Sequence, residues 1–359
     1  MPSPNIFVPG PSSVFHTVED HIRSAFRKDV PSISHRSSQF KSIFEECVSN
    51  LRLLLGLPDH YHVLFTGSAT EIWERIIQNC IESRSAHVVN GSFSHRFFEI
   101  TQEYHRQPRA LRAAEGTLPE LEGEDFSADE LLAVIHNETS TGVSQPLEEI
   151  YALRRRFPQL LIAVDAVSSL PYVQIDYHQV DTVYFSVQKG FGLPAGLGVW
   201  LVNERCHEKA KSLVSKGLSI GSYHSLPSLI GQAEKNQTPE TPNVLGIYLL
   251  AKVAQDMLDR GVETLRKETE FKAGMLYYTA QNHPKLRPFV QTEKWRSKTV
   301  IVAEVEDGST PVIDALKAKG LTVGAGYGSF KSSQIRIANF PAHSKEQMQL
   351  LIDALNELN

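Results

Sequence analysis

The stretch TVYFSVQKGFGLPAGLG, residues 182–198, decides how this chain folds. Its first six residues are mostly β-branched or aromatic, which predicts a short strand buried on both faces. Lys189 follows that run within two residues. A glycine-rich turn comes next and lets the backbone approach neighbouring side chains closely. A second apolar run begins at residue 197, so the stretch predicts two strands with a lysine between them.

Similar apolar runs recur along the chain and alternate with stretches of helical period. They lie at residues 63–66, 86–89, 131–136, 160–164, 182–187 and 197–202. This alternation predicts an α/β fold with a mostly parallel, doubly wound sheet. In such sheets ligands bind outside the carboxyl ends of the strands. The residues that follow each run are therefore the first candidates for chemistry.

The two ends of the chain predict a smaller companion unit. The segment QTPETPN, residues 237–243, predicts a hinge, and beyond it strands and helices alternate as in a compact α+β domain. Ser344 and Gln347 predict a capping box for the last helix. The first residues, NIFVPGPSSV, predict an irregular arm because they are rich in Pro, Gly and Ser. We predict a large domain of residues 17–245 and a small domain of residues 1–16 and 246–359.

Composition narrows the classes of partner. The 359 residues carry a net charge of −5 with acidic and basic residues interspersed, so no basic stripe predicts nucleic-acid binding. No apolar run approaches the length of a membrane span. The three cysteines are widely spaced and form no CxxC pair, which favours a reducing compartment. We expect a cytoplasmic protein with neither nucleic-acid nor membrane partners.

Polar residues at three strand ends could together bind an aldehyde cofactor that carries a phosphate. Burial would lower the pKa of Lys189 and make its amine a nucleophile. Asp165 ends the run LLIAV and could hold a pyridinium nitrogen in its protonated form. Ser68, Ala69 and Thr70 precede a helix whose free N–H groups attract anions. Each also has an ordinary interpretation, as a solvated lysine, a turn carboxylate and a helix cap.

Seven motifs in order along the chain resemble one family. They are FVPGP, SHRSSQF, VLFTGSAT, HNETSTGV, AVDAVSS, SVQKGFGLPAG and QTPETPN. The chain resembles the class V aminotransferases of fold type I, a group that contains phosphoserine aminotransferases and alanine- or serine-glyoxylate aminotransferases. The resemblance implies a seven-stranded, mostly parallel sheet covered by helices, a small α+β domain, a homodimer with shared active sites, and pyridoxal 5′-phosphate as cofactor.

The resemblance also implies roles for individual residues. Lys189 would bind the cofactor as a Schiff base and then move the substrate proton, while Asp165 would pair with the ring nitrogen. Phe93 would stack on the ring, and Thr139 would donate to its phenolic oxygen. The cofactor phosphate would be held by Ser68, Ala69, Thr70 and Gln188, with Gln237 and Thr238 reaching in from the second subunit.

The same resemblance implies a substrate site. Arg336, in QIRIANF, would bind the α-carboxylate with a bidentate guanidinium. His35 and Arg36, in SHRSSQF, would contact a substrate phosphate across the dimer interface. These residues imply transfer of an amino group from phosphoserine to 2-oxoglutarate.

Three positions depart from the phosphoserine pattern. Ser329 and Phe330 stand where phosphoserine enzymes carry a second His-Arg pair, and Thr70 stands where many carry an arginine. Lys331 is the nearby cation. These departures predict a relaxed or altered donor and keep a serine- or alanine-glyoxylate aminotransferase open as an alternative.

Other classes of protein fit the residues less well. A cysteine desulfurase needs a cysteine on a loop near the substrate, and none follows Cys206. A non-catalytic protein that binds the cofactor would not need both Lys189 and Arg336. The 14 histidines show no HExxH spacing, so no metal site is predicted.

Overall fold

Three β-sheets organise the chain, which we describe from a computed structural model that covers residues 5–358. The strands are β1 (Asn5–Phe7), β2 (Tyr61–Thr66), β3 (Arg84–Val89), β4 (Gln107–Arg112), β5 (Leu131–Ile135), β6 (Asn137–Glu138), β7 (Val143–Ser144), β8 (Leu161–Asp165), β9 (Thr182–Ser186), β10 (Gly198–Asn203), β11 (Leu286–Pro288), β12 (Val300–Val305), β13 (Leu321–Ala325) and β14 (Gln334–Ala338).

Helices cover the sheets. They are α1 (Val18–Arg27), α2 (Ser38–Leu55), α3 (Ala69–Cys80), α4 (Ser92–Glu103), α5 (Leu147–Arg156), α6 (Glu204–Ser215), α7 (Leu226–Ala233), α8 (Val244–Arg260), α9 (Val262–Asn282), α10 (Ser309–Ala318) and α11 (Lys345–Asn356). The predicted capping box begins α11, because Ser344 Oγ accepts from Gln347 N at 3.1 Å and Ser344 N donates to Gln347 Oε1 at 2.9 Å. None of the helices in the described residues is both long and apolar enough to cross a membrane.

The large sheet confirms the predicted fold class. Its seven strands run in the order β2-β10-β9-β8-β5-β3-β4, and all neighbours are parallel except β10, which is antiparallel to both β2 and β9. The apolar runs in the sequence predicted six of these strands but missed β4. That strand lies at an edge, pairs only with β3, and has the sequence QPRALR, so it lacks the apolar run of a strand buried on both faces.

The register of the central strands brings their carboxyl ends to one edge. Ile135 of β5 pairs with Asp165 of β8, and Asp165 pairs with Tyr184 of β9. Because β10 runs the other way, its first residue, Gly198, pairs with Thr66 at the end of β2. The loops that follow β2, β5, β8 and β9 therefore meet at the same edge of the sheet.

The small sheet has the order β1-β13-β14-β12-β11 and corrects one expectation. Residues 5–7 of the predicted irregular arm form a strand parallel to β13, with Asn5 opposite Leu321. Phe7 is fully buried in the core of the small sheet. The pairing joins residues more than 300 positions apart, so local composition could not reveal it.

The large and the small sheet have separate hydrophobic cores, and the packing of α8 shows to which of them this helix belongs. Its Ile247, Leu250 and Val253 lie in the same core as Phe44 of α2 and the large sheet. The buried apolar residues of α9 from Ala273 onward belong to the core of the small sheet. The division at residue 245 stays a prediction of the sequence, while the packing of α8 places its buried face with the large sheet.

Candidate active site

A cavity of about 230 Å³ lies at the edge of the large sheet where the strand ends meet. Eight of the residues predicted from the sequence line it: Ser68, Ala69, Thr70, Phe93, Thr139, Asp165, Gln188 and Lys189. A larger cavity, of about 470 Å³, lies apart from these residues around Leu118, Leu153 and Trp295. The smaller cavity is the candidate site because it contains the buried amine and the buried carboxylate.

Lys189 is 8% exposed at the end of β9. Burial lowers the pKa of its amine to about 8, although the charges of Asp165 and Glu138 act in the opposite direction. Its Nζ donates to Thr139 Oγ1 at 3.3 Å and lies 5.3 Å from the centre of the Phe93 ring. A fraction of this amine is therefore neutral and nucleophilic near neutral pH.

The glycine of the FVPGP motif, Gly10, lies against the side chain of Lys189. It has a φ of 153°, and a Cβ at this position would lie 2.7 Å from Lys189 Cε. A side chain here would displace the lysine and would strain the backbone. The N-terminal arm therefore packs its backbone directly against the lysine side chain.

Asp165 lies at the end of β8 and is 4% exposed. Burial raises the pKa of its carboxyl to about 6, against hydrogen bonds that favour the charged form. Val167 N donates to Oδ1 at 2.9 Å, and Trp73 Nε1 donates to Oδ2 at 3.1 Å. Both oxygens are thus held in place, and the carboxylate is ionised above about pH 6.

Sequence reasoning missed Trp73 as a functional residue. It belongs to the apolar stripe of α3, where a tryptophan ordinarily packs in the core. Its ring does stack on Phe97, with centres 5.4 Å apart and planes at 8°. The indole N–H, however, reaches the cavity and donates to Asp165. No sequence spacing signals that contact, because it joins a helix to a strand 92 residues away.

The N-terminus of α3 forms one end of the cavity. Ser68 Oγ accepts from Glu71 N at 3.1 Å, and Ala69 N donates to Ser186 Oγ at 2.8 Å. A Cβ at Gly198 would lie 2.5 Å from the carbonyl carbon of Ser68, so this strand must carry a glycine to let the turn approach. The positive end of a helix with small residues is an arrangement that binds anions.

The loop after β5 places Thr139 beside Lys189 and connects it to the loop after β8. Thr139 Oγ1 donates to Ser168 Oγ at 3.0 Å, and Asn137 Nδ2 donates to the same oxygen at 2.7 Å. Ser168 Oγ donates in turn to Asn137 O at 2.8 Å. The hydroxyl of Thr139 is thereby oriented by a buried network.

Glu138, a second residue that the sequence did not single out, positions Phe93. Its buried carboxylate accepts from the free N–H groups at the start of α4, at 2.9 Å from Ser94 N and 3.4 Å from Phe93 N. Ser140 Oγ also donates to it, at 2.6 Å. The carboxylate therefore holds the helix end that carries the Phe93 ring over the lysine.

Arg336 reaches the cavity rim from β14 of the small sheet. Its Nη1 donates to Thr139 O at 3.2 Å, and its Nε donates to Ala325 O at 2.8 Å. Its guanidinium lies 5.2 Å from the ring centre of Tyr327, and that ring lies 5.3 Å from the ring of Phe93. Tyr327, which the sequence reasoning also missed, thus connects the small sheet to the site.

Four other predicted residues form a second polar group that does not line the cavity. Arg36 Nη1 donates to Gln237 Oε1 at 2.7 Å, and Arg36 Nη2 donates to a proline carbonyl two residues further on, at 3.2 Å. His35 Nδ1 lies 3.3 Å from a threonine hydroxyl of the same segment, and Thr238 Oγ1 donates to Glu240 O at 2.7 Å. We call His35, Arg36, Gln237 and Thr238 the arginine group.

Lys331 belongs to neither group. Its side chain is exposed at the end of a short 3-10 turn, Gly328–Phe330, and its carbonyl accepts from Ser309 Oγ at 2.8 Å. The neighbouring Phe330 packs on Phe289, with ring centres 5.2 Å apart. The structure gives no contact between Lys331 and the other predicted site residues.

Among the described residues, one group of three side chains brings possible metal-ligating atoms within 4.8 Å of one another: His62, Glu204 and His207. Glu204 Oε1 lies 3.3 Å from His207 Nδ1, and Glu204 Oε2 lies 3.7 Å from His62 Nε2. The group lies near the start of β2, whereas the cavity lies beyond the end of that strand. It therefore takes no part in the chemistry around Lys189.

Known proteins similar to this chain are aminotransferases, and the similarity to several of them extends over nearly its whole length. The family model for the class-V aminotransferases matches residues 112–351. A phosphoserine aminotransferase of Nocardioides sp. is 28% identical over 362 residues, which is 99% of this chain and 96% of the relative. The solved structure of a phosphoserine aminotransferase from Cytophaga hutchinsonii is 47% identical, with a TM-score of 0.97 over 99% of both chains. An alanine–glyoxylate aminotransferase from Nostoc sp., at 24% identity, shares the fold, with a TM-score of 0.84 over 100% of this chain and 96% of its own.

Proposed function

The chain belongs to the class V aminotransferases, which are pyridoxal-phosphate-dependent transaminases, and on this premise we propose that phosphoserine is its amino donor and 2-oxoglutarate its acceptor. The observation that carries the proposal is the pairing of a buried amine, Lys189, with a buried carboxylate, Asp165, in one cavity. The 47% identity to a phosphoserine aminotransferase supports the choice of donor.

The cavity residues fit pyridoxal 5′-phosphate. An amine of lowered pKa suits an aldehyde, a carboxylate suits a ring nitrogen, and the N-terminus of α3 suits a phosphate. Gln188 Oε1 is buried with no hydrogen-bond partner among the described residues, as expected for a side chain whose partner is a ligand. When bound, the cofactor supplies a reactive aldehyde and an electron-withdrawing ring. Ser68, Ala69, Thr70 and Gln188 would hold its phosphate.

Lys189 is the proposed catalytic residue. Its Nζ would remove the proton from the α-carbon of the substrate and return it two bonds away, beyond the substrate nitrogen, on the cofactor side. A pKa of about 8 suits both steps, because a proton carrier works best when its pKa lies near the operating pH. Thr139 accepts from Nζ in the free protein. When the cofactor is bound, its hydroxyl hydrogen would turn from Ser168 Oγ and donate to the phenolic oxygen of the ring.

Asp165 is proposed to keep the ring nitrogen protonated. Its carboxylate is held by Val167 and Trp73 at both oxygens, so little reorganisation accompanies the pairing. Phe93, near the start of α4, would stack on the ring. Arg336, whose guanidinium stands at the rim beside Thr139, would bind the α-carboxylate of the substrate.

The arginine group is proposed to serve a second copy of the chain. Within one chain Arg36 is bonded to Gln237, and all four members lie outside the cavity. This supports a homodimer in which His35, Arg36, Gln237 and Thr238 reach the partner's cofactor and substrate phosphates. Lys331 would add a cation only after moving toward the substrate. The three free cysteines, all buried, support the proposal that the enzyme is cytoplasmic.

A glyoxylate-type aminotransferase is the second candidate. Ser329 and Phe330 offer no cation near the cavity, and Phe330 is engaged with Phe289. A donor without a phosphate, such as serine or alanine, would suit that side of the site. A non-catalytic cofactor-binding protein would require Lys189 to hold the cofactor without transferring protons.

Rapid mixing of the holoenzyme with phosphoserine, serine, alanine or glutamate distinguishes these possibilities. Loss of the aldehyde absorbance measures the first half of the reaction. We expect phosphoserine to react with a kcat/KM about ten- to a hundredfold above that of serine, from one charge-assisted contact to its phosphate. A faster reaction with alanine would favour the glyoxylate-type enzyme, and an unchanged spectrum with every donor would contradict a transaminase.

Arg36→Gln sharpens the test. The variant should lose that preference for phosphoserine while it retains the rate with alanine. Arg23→Gln, an exposed arginine paired with Glu19 at 2.6 Å, is the matched control and should behave as the parent does. An Arg36→Gln enzyme with undiminished preference would contradict the role of the arginine group.

A further inference from the structure

His224 is buried between two carboxylates that belong to different parts of the molecule. It lies in the loop before α7 and is 5% exposed. Its Nδ1 contacts Glu71 Oε1, and its Nε2 lies 3.0 Å from Glu240 Oε2. Of these two contacts the one with Glu71 has hydrogen-bond geometry, and a carboxylate beside each ring nitrogen favours the protonated imidazole. Burial alone would lower the pKa of His224, but the hydrogen bonds and charges of Glu240 and Glu71 outweigh it and raise the pKa to about 9.

On one side, His224 reaches the turn that precedes α3. Glu71 uses its second oxygen, Oε2, to accept from Gly67 N at 2.8 Å, and its own N–H is capped by Ser68 Oγ at 3.1 Å. Its carboxylate therefore bridges the imidazolium and the backbone of the turn. Since Ser68 lines the cavity, the position of this turn decides how the N-terminus of α3 is presented.

On the other side, His224 reaches the 237–243 segment. Glu240 contributes the carboxylate, and its carbonyl accepts from Thr238 Oγ1 at 2.7 Å. Arg36 holds the same segment from the opposite direction through Gln237. His224 is thus the side chain that joins this segment to the turn before α3.

We propose that His224 is a positioning residue for cofactor-phosphate binding, whose imidazolium orders the Gly67–Ser68 turn through Glu71 and the 237–243 segment through Glu240 as one unit. The inference rests on the proposed function, in which the N-terminus of α3 holds the phosphate. The imidazolium also offsets one of two carboxylates that would otherwise repel a phosphate at this helix end.

The pH dependence follows from the charges around His224. The groups that face it are Glu71, Glu240 and the ring of Tyr223, whose centre lies 4.2 Å from that of the imidazole. Arg75 acts on Glu71, and His35 acts on Glu240. Because the pKa of His224 is raised in the folded protein, its contribution is complete below about pH 6.5 and is lost as the pH rises through about 9. The cofactor phosphate loses its second proton near pH 6 and so does not change in that range.

The test measures the affinity for pyridoxal 5′-phosphate by equilibrium dialysis between pH 7 and 10. It uses the Lys189→Ala background, because the lysine titrates in the same range. The Lys189→Ala protein should lose about tenfold in affinity across the range, as one pKa unit of linkage requires. With His224→Gln added, the affinity should be about tenfold weaker at pH 7 and nearly constant with pH. His207→Gln, a histidine paired with Glu204 away from the cavity, is the matched control and should retain the Lys189→Ala curve.

Glu240→Gln provides a second variant should His224→Gln fail to fold. It keeps the Glu71 contact, so the affinity should fall by a smaller factor and the loss should begin at a lower pH. Hydrogen exchange of the protein without cofactor gives an independent readout. Both His224→Gln and Glu240→Gln should speed exchange in residues 67–70 and 237–241 together.

Unchanged affinity in these variants, or the same fall with pH in all of them, would overturn the proposal. Faster exchange in only one of the two segments would also overturn it, because His224 would then not order them as a unit. A Lys189→Ala protein that binds no cofactor at any pH would instead contradict the proposed function. In that case hydrogen exchange alone decides whether His224 joins the two segments.

Discussion

The cavity around Lys189 and the arginine group differ in how the chain builds them. Members of the first follow strands of one sheet, and their charges face each other across an open cavity. Members of the second come from two loops about 200 residues apart, and their charges are met by other groups of the same chain. The residues that line the first therefore all come from one copy, whereas the second is ordered and lines no part of that cavity. In a homodimer with shared active sites, the partner's cavity would supply a ligand for the arginine group.

Lys189→Ala should have the largest effect on this comparison. Without the amine that moves the α-proton, the half-reaction should slow by at least about 10³-fold while the circular dichroism spectrum stays that of a folded protein. Stopped-flow absorbance measures the rate. Lys252→Ala, which removes a surface lysine paired with Glu46, is the control and should keep the full rate. Sustained turnover in Lys189→Ala would mean that another group carries the proton.

Mixing two defective proteins tests whether the arginine group serves a partner. In a mixed dimer of Lys189→Ala and Arg36→Gln chains, one site would carry both defects and the other would carry neither. Random mixing makes half of the dimers mixed, so about a quarter of the parent activity with phosphoserine should return after the chains are exchanged. Native mass spectrometry checks the exchange. Activity no higher than the average of the two variants would place both groups in one chain.

Asp165→Asn should slow the half-reaction by about 10²-fold, because it removes a preorganised charge and keeps the shape of the side chain. The variant should also lose its cofactor more readily on gel filtration. In the cofactor-free protein Asp165 takes up a proton as the pH drops through about 6, so the parent's affinity for the cofactor should fall along that acid limb and the variant should lack it. A variant with the parent's acid limb would assign the limb to another group.

Trp73→Phe should have the smallest effect. The ring still packs on Phe97, but Asp165 loses one hydrogen bond to its charged form, worth about 1.5 kcal/mol, so its pKa should rise further. The acid limb of the cofactor-affinity profile should move to higher pH, and the half-reaction rate at pH 7 should fall about tenfold or less. Trp295→Phe, remote from the cavity, is the matched control.

Apolar periodicity and the chemistry at strand ends predicted eight residues that the structure brings together around one cavity. Apolar runs in the sequence identify buried strands, and the carboxyl ends of parallel strands lie at one edge of the sheet. Asp165, Thr139 and Lys189 follow such strands, so they could be expected to lie close together. What escaped prediction depends on contacts without local signals. β1 is recognised only through its pairing with β13, and β4 lacks an apolar run because it lies at an edge.

Side-chain partners from other elements were the other omission. Trp73 is indistinguishable from a core residue in its helical stripe, and Glu138 is identified only by the helix end that it meets. The bonds of Arg36 to the 237–243 segment likewise join residues that are distant in sequence. Such contacts are set by the packing of elements against each other, which composition and spacing do not encode.

The N-terminal arm connects the small sheet to the side chain of Lys189. The arm pairs with β13 at residues 5–7, passes Lys189 at Gly10, and donates from Ser12 N to Gln188 O at 3.1 Å. A rotation of the small sheet would pull this strip of backbone along the methylenes of the lysine. The conformations open to the Lys189 side chain therefore depend on the orientation of the small sheet, although Lys189 itself follows a strand of the large sheet.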